Sequence, residues 1–330
     1  MKQLTFLFAL AISFCSAQTI EKFSIDNGGA SVSTGGLEVV YTIGEVNIQE
    51  RVGSGIEVSE GFISANTRVL LDAKVFLQGP ILSPGTPGLM DDDLRLSGYL
   101  PTTSLYPDGL TAASSVFNAG GTSGTGLAQD DIVDWIYVEI RQGNDNSKLV
   151  RAQSCLLQRD GDIVDADGVS SVVFNAAQTS YYIVVKHRNH LGAMSDVAIG
   201  LLEASPVSVD FTNNAFNTFG SDAQVLLGSG DMALWTGDAD NSGSARFSGS
   251  NNDANVIKDY ILADPGNGFN SVTYTSTGYL NIDVNMDGNG RFSGSNNDSN
   301  IIKDNVLAHP GNGFNSSTYV IQGTIPPITN

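Results

Sequence analysis

Two kinds of hydrophobic spacing divide the chain. Over residues 19–211 the apolar positions fall in short alternating or continuous runs broken by Gly, Pro, Asn and Asp, the pattern of strands joined by turns. Runs at 38–42, 46–48 and 56–58 predict an N-terminal β segment over 19–70. Runs at 132–141, 149–158, 171–175, 181–186 and 197–202 predict a larger β domain over 71–211, with Trp135 in its core. Several alternating strands with turn-rich connections lead to a mainly β fold class, with 71–211 as an immunoglobulin-like β-sandwich region. The stretch 82–130, rich in Gly, Pro, Ser and Thr, reads as a long insertion or loops, and 212–236 as a connector.

After residue 237 the spacing becomes helical and the chain repeats itself. Residues 238–274 and 283–319 align without a gap at an offset of 45 and are identical at 25 of 37 positions. Two copies are too few for a solenoid, so a pseudo-two-fold pair over 237–320 is expected, followed by a tail over 321–330. Each copy is an Asp/Asn/Gly/Ser loop, a helix and a Pro-Gly stop. Ile257, Tyr260 and Ile261 (i, i+3, i+4) mark the apolar side of the first helix, and Ile301, Ile302, Val306 and Leu307 that of the second. Asn252 or Asp253 is placed to cap the first turn, and Pro265-Gly266 and Pro310-Gly311 end the helices. Helices of about ten residues are marginal alone. They are therefore expected to pack on each other as a small α domain of two loop-helix units, with Phe269 and Phe314 over their ends.

Charge and cysteine content narrow the setting. With 35 Asp+Glu against 16 Lys+Arg the formal net charge is −19. Such a charge repels nucleic acid and anionic membrane surfaces and leaves cations, neutral sugars or another protein as partners. Residues 1–18 read as a secretory signal peptide: Lys2, an apolar stretch from Leu4 to Phe14, then Cys15-Ser16-Ala17 before Gln18. A secreted or cell-surface protein follows. No segment approaches the ~20 apolar residues of a transmembrane helix. Cleavage would leave Cys155, in an apolar stretch, as a buried small hydrophobe and as the one remaining thiol, so no internal disulfide supports the fold.

The repeat loops carry the chemistry. Loop one begins Asp238-Ala239-Asp240-Asn241-Ser242-Gly243-Ser244 and loop two Asp283-Val284-Asn285-Met286-Asp287-Gly288-Asn289. Both follow the opening of an EF-hand calcium loop, in which oxygens at positions 1, 3 and 5 converge, Gly at 6 allows the sharp turn and the position-7 carbonyl adds a further oxygen. Position 12 holds Gly249 or Gly294 instead of a carboxylate, and Asp253 or Asp298 follows four residues later. The expectation is that the intervening Phe-Ser-Gly-Ser bulges outward and that this Asp closes the site. Two Ca²⁺ sites are predicted, from Asp238, Asp240, Ser242, Ser244 and Asp253, and from Asp283, Asn285, Asp287, Asn289 and Asp298. Beyond residue 205 all twelve acidic residues are Asp, against four basic ones, a net −8.

These paired loop-helix units resemble the duplicated calcium repeats of type I dockerins, which close the loop with Asp at position 12; here that Asp is displaced. The wider chain, over about 73–320, resembles a C-terminal module of secreted and surface proteins of Bacteroidetes. The likeness rests on Ala73-Lys74-Val75-Phe76-Leu77-Gln78-Gly79-Pro80, on the run from Tyr181 to His190, and on the Pro-Gly-Asn stops at 265–267 and 310–312. Together with the signal peptide and the paired loops, it leads to the expectation of an exported, non-enzymatic calcium-binding protein acting in adhesion or assembly at the cell surface. A polysaccharide-binding protein with a dockerin-like docking unit and a glycan-active hydrolase are the alternatives.

Three weaker motifs are read more plainly. His187-x-x-His190 has a metal-like spacing, but on a strand it places the two rings on opposite faces, so polar residues at a strand end are expected. The acidic stretch Asp160 to Asp167 reads as a strand-connecting turn, with a third calcium site as the alternative. Asp91-Asp92-Asp93 is expected to be a solvated charge run. No P-loop, G-x-S-x-G, H-E-x-x-H or dinucleotide fingerprint occurs.

Overall fold

The computed structural model describes residues 67–120 and 127–329 in full and, between residues 29 and 60, the backbone of four strands. The predicted signal peptide and the run at 46–48 lie outside the described residues. The chain divides into two compact units, Met1–Asn66 and Thr67–Asn330. The first holds two antiparallel hairpins, β1 (Gly29–Thr34) with β2 (Leu37–Thr42) and β3 (Gln49–Gly53) with β4 (Ile56–Glu60).

In the second unit nine strands form one sheet: β5 (Arg68–Lys74), β7 (Ile132–Gln142), β8 (Asp145–Gln158), β9 (Asp162–Val164), β10 (Val172–Asn175), β11 (Ser180–Lys186), β12 (Ala193–Met194), β13 (Ile199–Gly200) and β14 (Val207–Asp210). The order is β10-β5-β9-β8-β7-β11-β12; β13 pairs with β11, and β14 lies parallel to β5 while the other neighbours are antiparallel. The molecule is mainly β. Strand β7 is buried on both faces because both are covered. Val138 and Ile140 join the large core with Leu71, Phe174 and Phe211. Trp135 and Ile132 face a second cluster with Leu156, Ala112 and Val116. That cover comes from the segment expected to be loops: its short apolar positions close over Trp135, whose indole N–H donates to the carbonyl of Pro101 at 2.8 Å. Cys155 is fully buried on β8, and burial pushes its thiol up, away from reactivity.

One expectation fails here because buried polar groups find partners. Asp92 is not solvated: at the start of the short helix α2 (Asp93–Leu96) it is 4% exposed and paired with Arg95 at 2.5 Å and Arg159 at 3.5 Å. The expected connector contains short strands. It forms β15 (Gln224–Leu226) and β16 (Met232–Leu234), and β16 runs parallel to β6 (Phe76–Leu77), just ahead of the short helix α1 (Gln78–Ile81).

The repeats fall in the same compact unit as the sheet. They contain β17 (Ser244–Arg246), α3 (Asp253–Ala263), β18 (Thr275–Thr277), β19 (Asn289–Arg291), α4 (Asp298–Ala308) and β20 (Val320–Gln322). Ile257 and Ile261 of α3 share one core with Ile302 and Val306 of α4. The strand trailing each helix pairs with the other repeat's loop: β18 with β19, and β20 back to β17. The pair is thereby closed on itself, and the closing strand straddles the expected end of the repeat region. Phe269 and Phe314 do not cover the helix ends; each is 97% exposed. Tyr274 and Tyr319 do so instead, with their hydroxyls so close over Gly266 and Gly311 that a Cβ there would lie 2.2 and 2.4 Å away. Tyr260 also departs from the helical pattern, at 45% exposed. Its counterpart in the second copy is Asn305, buried in a mutual amide pair with Gln78 (2.7 and 2.8 Å) that ties α4 to α1.

One buried charge links sheet to repeats. A register shift between Ile132 and Asp134 interrupts β7, and such bulges re-aim a side chain. Asp134, wholly buried, accepts from Arg188 Nε at 2.9 Å, His187 Nε2 at 3.1 Å and Tyr279 Oη at 2.6 Å. Arg188 in turn donates to the carbonyl of Leu280 and lies 4.3 Å over the Tyr279 ring. Burial alone would raise the Asp134 carboxyl; Arg188, His187 and Tyr279 outweigh it and hold the group at about 2.

Asp134→Asn keeps the shape and strands the Arg188 charge, so equilibrium denaturation is expected to show a loss of about 3–5 kcal/mol. Phe269→Ser and Phe314→Ser, by contrast, should each change stability by no more than about 0.5 kcal/mol. A loss of several kcal/mol in either Phe variant would contradict their exposure.

Candidate metal centre

The two loops are built by the same local rules. Asn252 caps α3 by accepting from the N–H of Asn255 at 2.8 Å, and Asn297 caps α4 by accepting from Asn300 at 2.9 Å. The Asn takes the capping role, which releases the following Asp. Asp253 Oδ1 accepts from Ala239 N and its Oδ2 from Arg246 N, both at 2.8 Å; Asp298 does the same with Val284 N and Arg291 N at 2.8 Å. Each therefore reaches back across the loop from the first turn of its helix. The intervening residues turn away through positive φ at Gly249 (95°) and Asn251 (53°), and at Gly294 (98°) and Asn296 (53°). At position 1, Asp238 accepts from Ser242 N at 2.7 Å and Gly243 N at 2.9 Å, and Asp283 from Asp287 N at 3.1 Å and Gly288 N at 2.8 Å. Gly243 and Gly288, at φ 80°, supply the turn.

In loop one, oxygens of Asp238, Asp240 and Asp253 lie within 4.8 Å of one another, a cluster that could hold a metal ion. Ser242 Oγ lies 3.2 Å from Ser244 Oγ beside it. In loop two Asp283 and Asp298 are wholly buried, and Asp287 is paired with Arg291 at 3.0 Å. Asn289 is engaged with Asp287, donating to its carbonyl at 2.8 Å, and Asn285 accepts from the Asp287 N–H at 3.3 Å. Burial pushes the Asp238 carboxyl up to about 7 and Asp253 up to about 6, and raises Asp283 and Asp298 as well. Carboxylates packed so closely repel one another and favour protonation until a cation compensates them.

The loops differ in where they sit. Position 4 of loop two is Met286, at φ 63° and 2% exposed, and it enters the large core of the sheet. Position 4 of loop one is Asn241, exposed at the rim. Loop one is instead reached by the C-terminal segment: Gly323 N donates to Gly243 O at 2.9 Å, and further along Arg141 Nη1 donates to Pro326 O at 2.7 Å.

Sequence reasoning missed the residue that joins the loops. Asn189 Nδ2 donates to the carbonyls of Asn281 (3.2 Å) and Asp283 (2.7 Å), while its own carbonyl accepts from Gly237 N at 3.2 Å. One side chain thus holds the entry of loop two while its backbone holds that of loop one. A signal was present: His187, Arg188, Asn189 and His190, four polar residues directly after an apolar strand, are all buried. The two imidazoles are not on opposite faces, because β11 ends at Lys186 and the chain turns; their Nδ1 atoms lie 3.0 Å apart. The proton count is complete without a metal. His190 Nε2 accepts from Gly79 N at 3.1 Å, so its Nδ1 carries the proton and faces His187 Nδ1, whose Nε2–H serves Asp134. A metal on His190 Nδ1 would force a proton onto Nε2, against the Gly79 N–H. Residues Asp160 to Asp167 do not converge either. Asp162 pairs with Lys74 at 2.9 Å, and Asp167 accepts from Ser170 N within its own turn.

Because the loop carboxyls hold protons up to about pH 6–7 when no cation is present, cation binding must displace them. Apparent affinity should rise as pH climbs from 5.5 to 8. Calorimetry in buffers of different ionisation heat should detect proton release near pH 6 that fades by pH 8.5. Equal affinity at both ends would contradict the carboxyl environments described.

No family model, curated protein or solved structure matches the chain.

Proposed function

We propose that residues 237–320 bind two calcium ions and that the protein is an exported, non-enzymatic module acting in adhesion or assembly at the cell surface. The observation that carries the metal reading is the return of the helix-start Asp into each loop through the same pair of backbone bonds. The donor set supports calcium among cations: carboxylate, hydroxyl, amide and carbonyl oxygens without His or Cys suit a hard ion of flexible coordination. Asp238, Asp240, Ser242, Ser244 and Asp253 would hold one ion, and Asp283, Asn285, Asp287, Asn289 and Asp298 the other, with Arg291 releasing Asp287 as the ion enters. Among the described residues no helix is long and apolar enough to cross a membrane. The immunoglobulin-like reading of 71–211, which rests on its alternating strands and turn-rich connections, and the surface location, which rests on the signal-peptide pattern of residues 1–18, belong to the same proposal.

Calcium bound to the folded state alone stabilises it by about 2.7 kcal/mol per site at 100 times the dissociation constant. Titration calorimetry of the full chain should give two equivalents, and calcium should raise the melting temperature. Asp283→Ala should remove one equivalent and much of the thermal response. Asn189→Ala, which touches neither ion, should weaken calcium binding about 10–100-fold through the loop entries. A chain that takes up no calcium ends this reading.

A further inference from the structure

Loop one differs from loop two by moving one carboxylate, and that move leaves a cation without a partner. In loop two the acidic side chain at position 5, Asp287, stands four residues before Arg291 and pairs with it at 3.0 Å. In loop one the carboxylate stands at position 3 as Asp240, and position 5 is Ser242. Among the described residues Arg246, the counterpart of Arg291, has no ion pair, and its Nε is buried without a hydrogen-bond partner. A guanidinium is a fork of donors with no acceptor, so an unpaired one beside a cleft is poised for an external carboxylate or similar anion.

The cleft is there. A cavity of about 600 Å³ opens beside loop one, bounded by Asp240, Ser242, Arg246, Asn251, Asn255 and Gln322. Asn251 is exposed, and neither its side chain nor Nδ2 of Asn255 bonds to another of the described residues. Among the residues lining the cavity Val256 is the one aliphatic. A protein partner presenting an acidic side chain would bring apolar surface with it and find almost none to meet. The lining also holds Asp259, whose carboxylate is paired with Lys258 at 3.8 Å; the remaining amides and hydroxyls around a single guanidinium fit a small molecule rich in hydroxyls that bears one carboxylate. With the loop empty, Asp238, Asp240 and Asp253 would repel such an anion. With a divalent ion in place, the ion and Arg246 balance those three charges.

We propose that this cleft binds a sugar acid, such as a uronic acid residue of a glycan, with its carboxylate on Arg246 and its hydroxyls on the surrounding amides, when loop one holds calcium. The inference rests on the calcium reading above. It explains why one loop is docked on the sheet while the other keeps an open polar face: the first is a fixed support and the second a receptor.

The test uses the full chain and measures calcium uptake first, by calorimetry, and then titrates the calcium-loaded protein with glucuronate, glucose and glutarate while following the Arg246 Nε–H resonance by NMR. Glucuronate should bind and shift that resonance, glucose should not, and calcium-free protein should bind at least about tenfold more weakly. Arg246→Gln should lose about 10–100-fold in glucuronate affinity, the worth of a charge-assisted bond, while still taking up two equivalents of calcium at saturation. Ser242→Asp, which rebuilds the loop-two ion pair, should lose affinity likewise, and Arg291→Gln should retain it. Normal calcium uptake with equal glucuronate affinity in the parent and in Arg246→Gln would overturn the inference and leave the calcium reading standing. Glutarate binding as tightly as glucuronate would overturn the sugar assignment in favour of an acidic protein side chain. Absence of calcium uptake would overturn both readings.

Discussion

A single buried carboxylate sets the relation between the sheet and the repeats. Asp134 has no water to solvate it, so its charge is tolerable only while Arg188, His187 and Tyr279 remain in contact. Two of these belong to the turn after β11 and the third to the segment between the repeats. Satisfying one charge therefore brings distant stretches of chain to one place. Arg188 extends the constraint to Leu280, three residues before Asp283 at the start of loop two. Buried charge of this kind contributes little net stability against an apolar replacement, yet any arrangement that leaves it unpaired is costly. Its effect is to exclude alternative dockings of the repeats.

From that anchor follows the inequality of two nearly identical loops. The backbone cradle is the same in both, down to the paired bonds from the helix-start Asp. What differs is the neighbour. Loop two meets the sheet, and its sequence accommodates that: Met286 where loop one has Asn241, Val284 where it has Ala239, and Asn305 where the first helix has Tyr260. Loop one meets solvent and the returning C-terminal strand. Duplication supplied the symmetry, and docking on a single sheet removed it.

Much of the candidate site was legible in the chain. The offset of 45, the position of each Asp and Gly, and the excess of acidic residues all follow from local rules of turn and cap. The return of Asp253 was also readable, because Asn252 ahead of it could take the cap. The Phe residues misled because apolar character alone does not say which aromatic reaches a helix end. Tyr274 and Tyr319 reach the helix ends because Gly266 and Gly311 leave room for their hydroxyls. The aspartates at 91–93 misled for a related reason: a run of like charge looks solvated until Arg95 and Arg159 arrive from other positions to bury one of its members.

The sequence by itself therefore determined what each short segment can do: strand, helix, turn, and a loop of oxygens fit for a cation. Those properties depend on spacings of a few residues, within reach of one peptide's own geometry. The tertiary structure alone decided which copies are buried, which cation is left unpaired, and which residues join the loops. These outcomes depend on contacts between residues tens or hundreds of positions apart, as with Asn189 at both loop entries or Gln78 against Asn305. Burial turns such contacts from neutral into obligatory, because a polar group removed from water must find its partner wherever the chain has placed it.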